Sequence, residues 1–187
     1  MPTLDLTRQG LAPEEHVPPH RSLPYTDTDG TIRRMYELIQ GPRGEKSLKV
    51  RLTVEEIIRG VRPRDRLSQL IAIYNWFNRR YHFVNDPIEV ELVKDAQRII
   101  EEIESRGIAI GDCDDASIFL GTAPRVLGIP TQLVRTGFKD TPPGRLEGPF
   151  THVMVVARDQ WKRPIVLDPV AGPRSKEMLG RVKQVKW

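Results

Sequence analysis

Apolar and polar positions change rhythm several times along the chain, and each rhythm predicts an element. Ile32, Arg34, Tyr36 and Leu38 fall on alternate positions, with polar or mixed neighbours. After Gly41-Pro42-Arg43-Gly44, the stretch Lys46-Ser47-Leu48-Lys49-Val50-Arg51-Leu52 alternates again. A period of two on both sides of a Gly/Pro turn predicts an antiparallel hairpin with one wet face. Thr53 is then placed to cap a short helix through Glu55, Glu56, Ile57 and Ile58, ending at Gly60. From Pro63 to about Tyr81 the period lengthens. Leu67, Leu70, Ile71, Tyr74, Phe77 and Tyr81 recur at three- and four-residue steps, and Ile73 and Trp76 widen the stripe. This is the strongest helix signal, and it predicts a helix central to the core. Its aromatics read as packing, and His82 after it reads as structural.

Asn85-Asp86-Pro87 predicts a turn, and Ile88, Val90 and Leu92 a short extended piece. Asp95 is placed to cap a helix carrying Ile99, Ile100 and Ile103 that stops at Gly107. The acidic residues Glu101, Glu102 and Glu104 read as its solvated face. A further helix opens at Cys113 and ends at Leu127-Gly128-Ile129-Pro130. Pro124 lies inside it and predicts a kink or an early end, since proline removes one backbone bond. Three strands follow, at 131–138, 152–157 and 164–167, the last running into Asp168-Pro169. A polar Pro/Gly-rich loop covers 139–149, and a basic tail begins near Gly172, with a short helix expected near 176–181. Residues 1–30 are poor in apolar side chains and carry Pro2, Pro13, Pro18, Pro19 and Pro24, so they read as an extended arm. His16 and His20 lie in that arm, where Pro18 and Pro19 prevent a helix from aligning them on a metal. The organisation is therefore an arm at 1–30, a domain at 31–172 with an N-terminal hairpin, and a basic tail at 173–187.

Bulk properties change this picture little. The 187 residues are enough for one core plus appended sequence. No apolar run approaches the length of a membrane span, and the N-terminus lacks the charged-then-apolar pattern of a signal peptide. A single cysteine cannot form an internal disulfide and gives no sign of an oxidising compartment. The formal charge of +4 and pI near 9.4 permit an acidic partner. The basic residues are spread along the sequence, apart from Arg33-Arg34 and Arg79-Arg80, and no aromatic-and-basic RNA-recognition motif occurs, so nucleic acid is not expected.

Candidate chemistry centres on Gly111-Asp112-Cys113-Asp114-Asp115-Ala116-Ser117, which holds that one cysteine. Asp112 reads as an N-cap with Asp115 as its capping-box partner, which makes Cys113 the first helical residue. Unpaired N–H groups and the positive end of the helix dipole favour a thiolate there; Asp114 and Asp115 oppose it, so a histidine partner matters. The plainer alternative is that a lone cysteine is a small buried hydrophobe. Against it stands the order of elements. His152 begins a strand, and Asp168 ends the next one. If those strands are adjacent and antiparallel, the two residues share a sheet end, and a helix packed on the sheet can bring Cys113 to them. Thiol, base and orienting acid are the types nucleophilic acyl transfer needs.

This arrangement resembles the transglutaminase-like superfamily, with its papain-like fold. Gly111 to Ser117 is similar to the motif around that family's nucleophile, Leu127-Gly128-Ile129-Pro130 to its turn into the first core strand, Thr151-His152-Val153-Met154-Val155 to its histidine strand, and Trp161 through Leu167-Asp168-Pro169 to its closing segment. The resemblance covers residues 65–170. It implies an α+β fold with the nucleophile helix packed on an antiparallel sheet, and it assigns Cys113 as nucleophile, His152 as base and Asp168 as orienting acid. Tyr81 to Pro87 and Glu91-Leu92-Val93 resemble small transglutaminase-like proteins of tailed bacteriophages, and the Gly-Asp-Cys-Asp-Asp form resembles bacterial transglutaminase-like cysteine proteinases. Gly121 and Pro124 depart from a helix usually richer in leucine and alanine.

The expected function is cysteine-dependent acyl transfer on an amide of a protein or peptide, as a peptidase or amidase or with an amine acceptor as a transglutaminase. No cofactor is called for. Cysteine with one histidine does not satisfy a zinc site, and Asp112, Asp114 and Asp115 are explained by capping. The alternative is a structural virion component (tail, baseplate or connector) that reuses the fold and contacts other phage structural proteins through its N-terminal arm. Either implies the host cytoplasm or the virion.

Overall fold

The computed structural model describes residues 28–84, 93–136 and 152–169. The proline-rich arm up to residue 27, the expected turn and extended piece at 85–92, the 139–149 loop and the basic tail lie outside the described residues. The architecture is α+β. In chain order the elements are α1 (Thr28–Gln40), α2 (Leu48–Ile57), α3 (Arg66–Asn78), β1 (Tyr81–Phe83), α4 (Ala96–Arg106), β2 (Ala109–Gly111), α5 (Cys113–Val126), β3 (Thr131–Thr136), β4 (His152–Arg158) and β5 (Pro164–Leu167). β3, β4 and β5 form an antiparallel sheet in that order, and β1 pairs with β2 in parallel.

The expected N-terminal hairpin is not there; its two halves are α1 and α2. Helical spacing explains the correction. The buried positions of α1 are Ile32, Met35 and Ile39, three and four apart, and the alternation through Arg34 and Leu38 was too short to oppose them. In α2 only Val50 and Val54 are buried, whereas Leu48 and Leu52, which a strand would place on the same face as Val50, are 68% and 56% exposed. Ser47 caps this helix by accepting from the Val50 N–H at 3.3 Å. Thr53 lies inside it, its hydroxyl donating to the Lys49 carbonyl. Gly60 follows with φ +85°, a left-handed backbone that suits glycine.

The helices at 66–78 and 96–106 are capped by Asp65 and Asp95, and α4 ends on Gly107 at φ +81°. The acidic face of α4 is less solvated than its composition implies. Glu101 takes Arg43, Glu104 takes Lys49, and the buried Glu102 takes Lys94 and Arg98.

The centre of the core is α5, not α3. Residues Asp114 to Pro124 are all buried, and α5 packs against the other four helices, β2, β3 and β4. A helix buried on all sides needs small residues where neighbours come close. Gly121 is such a place: a Cβ there would meet Ile39 Cδ1 of α1 at 2.9 Å. Phe119 stacks on Phe77 and on Trp76 at centroid distances of 4.6 and 5.7 Å, tying α5 to α3. The helix continues two residues past Pro124, and the Pro124 carbonyl then accepts from Leu127 and Ile129 as the chain turns through Gly128 at φ +71°. Among the described residues, no helix is long and apolar enough to cross a membrane.

Candidate active site

The turn into α5 is held by side-chain contacts to three other elements. Asp112 caps the helix, Oδ1 accepting from the N–H groups of Asp114 at 3.0 Å and Asp115 at 3.5 Å. Tyr81 of β1 donates its hydroxyl to the Asp112 carbonyl at 2.6 Å. Asp115 is not the capping-box partner. It is 1% exposed and faces away from the cap, Oδ1 accepting from the Lys94 backbone N–H at 2.7 Å and Oδ2 lying 3.6 Å from the Lys94 ammonium. The same ammonium reaches Glu102 of α4 and the Ile110 carbonyl of β2. Gly111 has no room for a side chain, because a Cβ would sit 2.2 Å from Asp115 Oδ2 and 2.7 Å from the Tyr81 hydroxyl. Cys113 is therefore presented by a turn fastened to β1, β2 and α4. Tyr81 and Lys94 were missed in the sequence. Tyr81 lay within an apolar stripe, and Lys94 carried no signal beyond standing next to a cap.

Cys113 is half-buried at the first position of α5. Its thiol donates to Asp114 Oδ1 at 3.6 Å, and the backbone N–H of Val153 lies near enough to favour the thiolate. Burial, chiefly, and the charges of Asp114 and Asp112 push this thiol well above the ordinary range, while the Val153 N–H pulls the other way. The helix terminus, worth about 0.3–1 kcal/mol for a nearby charge, does not reverse that balance. Burial first, and then the carboxylates, thus favour the neutral thiol over the thiolate. Burial, then the surrounding acidic groups, likewise raise the Tyr81 phenol and keep it a donor.

His152 and Asp168 come together. β4 and β5 are antiparallel with Val155 opposite Leu167, so the residue after Leu167 lies within reach of the residue that opens β4. His152 Nε2 and Asp168 Oδ2 are 2.8 Å apart, and the two residues are 5% and 3% exposed. The Asp168 carbonyl accepts from the Tyr74 hydroxyl at 3.2 Å, which anchors this strand end to α3. Ser117, one turn along α5 from Cys113, donates to the Val153 carbonyl at 3.1 Å. The start of α5 and the start of β4 are thus joined through Val153, the residue next to His152. His82, read as structural, is exposed on β1.

Asp112, Cys113 and Asp114 have one ligand-type atom each within a mutual 4.8 Å. Both carboxylates are accounted for locally, one by two backbone amides and the other by the thiol proton.

No protein-family model and no curated protein matches the chain. Two solved structures do. The periplasmic domain of TgpA from Pseudomonas aeruginosa bound to ethylmercury is 18% identical, with a TM-score of 0.48 over 79% of this chain and 52% of that one. A second structure of the same domain gives 18% identity and a TM-score of 0.48 over 81% and 53%. The chain spans about half the length of these structures.

Proposed function

We propose that this protein carries out cysteine-dependent acyl transfer on an amide of a protein or peptide, with Cys113 as nucleophile, His152 as base and Asp168 as the acid that orients it. The observation that carries the reading is the buried 2.8 Å contact between His152 and Asp168 at the strand end to which the first turns of α5 are joined through Ser117 and Val153. With Nε2–H directed at Asp168, the imidazole presents Nδ1 as its basic nitrogen. Nδ1 takes the Cys113 proton as sulfur attacks the amide carbonyl. The tetrahedral oxygen is met by the Cys113 backbone N–H at the helix start. The C–N bond then breaks, His152 returns the proton to the leaving amine, and a thioester remains on Cys113. Water activated by the same nitrogen releases the acid and restores the thiol; an amine acceptor would give a crosslink instead. Hydrolysis is the simpler outcome, because water needs no second binding site. A neutral resting thiol fits a route in which deprotonation accompanies attack. The bacteriophage-like subtype rests on sequence similarity around residues 81–93, most of which lies outside the described residues.

The test is acylation by an activated ester, read by intact-mass spectrometry and peptide mapping. The expected result is a single acyl adduct on Cys113, formed roughly a hundredfold more slowly in His152→Ala. An adduct that forms as quickly without His152, or none on folded wild-type protein, would overturn the proposal.

A further inference from the structure

The far end of β4 carries a second surface. β4 is seven residues long, which at about 3.3 Å per residue puts Arg158 roughly 20 Å from His152. There the 158–163 turn docks on the start of α3. The Gln160 side chain accepts from the Leu67 N–H at 3.0 Å and donates to Asp65 Oδ1 at 3.4 Å. Two segments nearly a hundred positions apart thereby meet, one carrying Arg62, Arg64 and Arg66 with Asp65, the other Arg158, Lys162 and Arg163 with Asp159. These two segments carry an excess of four positive charges.

Two further features mark this corner. Trp161 is 61% exposed, with the Arg163 guanidinium over its ring at 4.5 Å. Buried Asp159 fixes the turn that presents it, accepting from Trp161 N, Arg163 N and Arg163 Nε at 2.9, 2.8 and 2.6 Å. Among the described residues, the only non-glycine residues with left-handed backbone are Arg64 at φ +66° and Lys162 at φ +64°. Both belong to this corner, one from each segment. Glycine or asparagine would adopt that conformation more easily, and such residues persist where the surrounding structure over-determines them, often at binding sites.

We propose that this corner binds single-stranded nucleic acid, its cations taking successive phosphates and Trp161 stacking on a base. Charge alone would suit an acidic peptide equally well. The ring decides between them, because guanidinium forks beside an exposed aromatic ring match a phosphate chain that carries flat bases. The inference is independent of the role of Cys113.

The test is fluorescence anisotropy of a labelled oligothymidylate of about 16 nucleotides with the full chain, repeated across a salt series. Wild type should bind, with affinity falling steeply as salt rises. Arg64→Gly with Lys162→Gly relieves two left-handed positions, so Tm should hold or rise. Affinity should nevertheless fall at least about tenfold, and the salt slope should drop by about 1.4, at about 0.7 per lost phosphate contact. Trp161→Leu should lose about tenfold with the slope unchanged. Arg33→Gln with Arg34→Gln, outside the corner, should change little. Absence of binding, full binding by the double-glycine variant, or an equal loss on changing Arg33 and Arg34 would each overturn the proposal. Displacement of the strand by a polyglutamate peptide at equal charge concentration would overturn it in favour of an acidic protein partner.

Discussion

Asp114→Asn isolates the electrostatics of the candidate nucleophile. The substitution keeps the shape of the side chain and an oxygen able to accept the thiol proton. It removes one negative charge 3.6 Å from the Cys113 sulfur. At that separation two unit charges repel by about 4–5 kcal/mol for an effective dielectric near 20, and by about 1 kcal/mol in the limit of water. Cys113 is half-buried and Asp114 buried, so the effect lies between those limits. Even the lower one favours the thiolate about fivefold. The sign follows directly. A negative neighbour opposes ionisation, so its loss lowers the thiol pKa, and alkylation shifts to lower pH. Iodoacetamide labelling of Cys113 across pH 6.5–10 in both proteins reads this, and below the plateau the variant should react at least about fivefold faster. A ratio within about twofold throughout would refute the argument that carboxylates hold the thiol neutral. Asp114 also sits in the first turn of α5, where a carboxylate stabilises the dipole by about 0.3–1 kcal/mol. The variant should therefore melt about 1–4 °C lower, faster in chemistry and slightly weaker in fold.

Three other outcomes follow from the same contacts. Gly111→Ala forces a Cβ against Asp115 Oδ2 and the Tyr81 hydroxyl; it should cost about 1–3 kcal/mol by chemical denaturation and slow acylation of Cys113. Phe119→Ala removes the ring stacked between Phe77 and Trp76 and should cost about 3–5 kcal/mol, lowering Tm by about 10 °C in a calorimeter. Burial raises the Cys113 and Tyr81 groups in the folded state, so the fold favours their neutral forms. That contribution is complete below the ordinary thiol range, about 8.5, and is lost as pH climbs towards the raised folded values. The urea midpoint should fall between about pH 8 and 10.5, and it should fall less in Cys113→Ala with Tyr81→Phe; equal slopes would refute the assignment.

Much of the fold was legible because its signals are local. Asp95 and Asp112 announce helix starts, Gly107 and Gly128 announce ends, and the apolar runs at 131–136 and 152–157 have the right length for strands. The adjacency of His152 and Asp168 followed from two strands joined by a short turn. The failures have physical causes as well. Alternation over a few residues is shared by a strand and by one turn of helix, so α1 and α2 were misread until burial separated Met35 and Ile39 from Leu38. β1 and β2 are three residues each and pair in parallel across α4, a contact without local pattern. Asp115 resembled a capping residue because its distant partner, Lys94, cannot be seen from the motif. The state of the thiol depends on burial, which the sequence does not display. The cationic corner needed Gln160 to meet Leu67.

The place of α5 at the centre of the core has a dynamic consequence. Amides in that helix can exchange with solvent only when most of the domain opens, since every other helix must first withdraw. A thiol mounted on the first turn of such a helix moves only as the whole molecule moves. Cys113 is thereby fixed to the part of the fold that opens last.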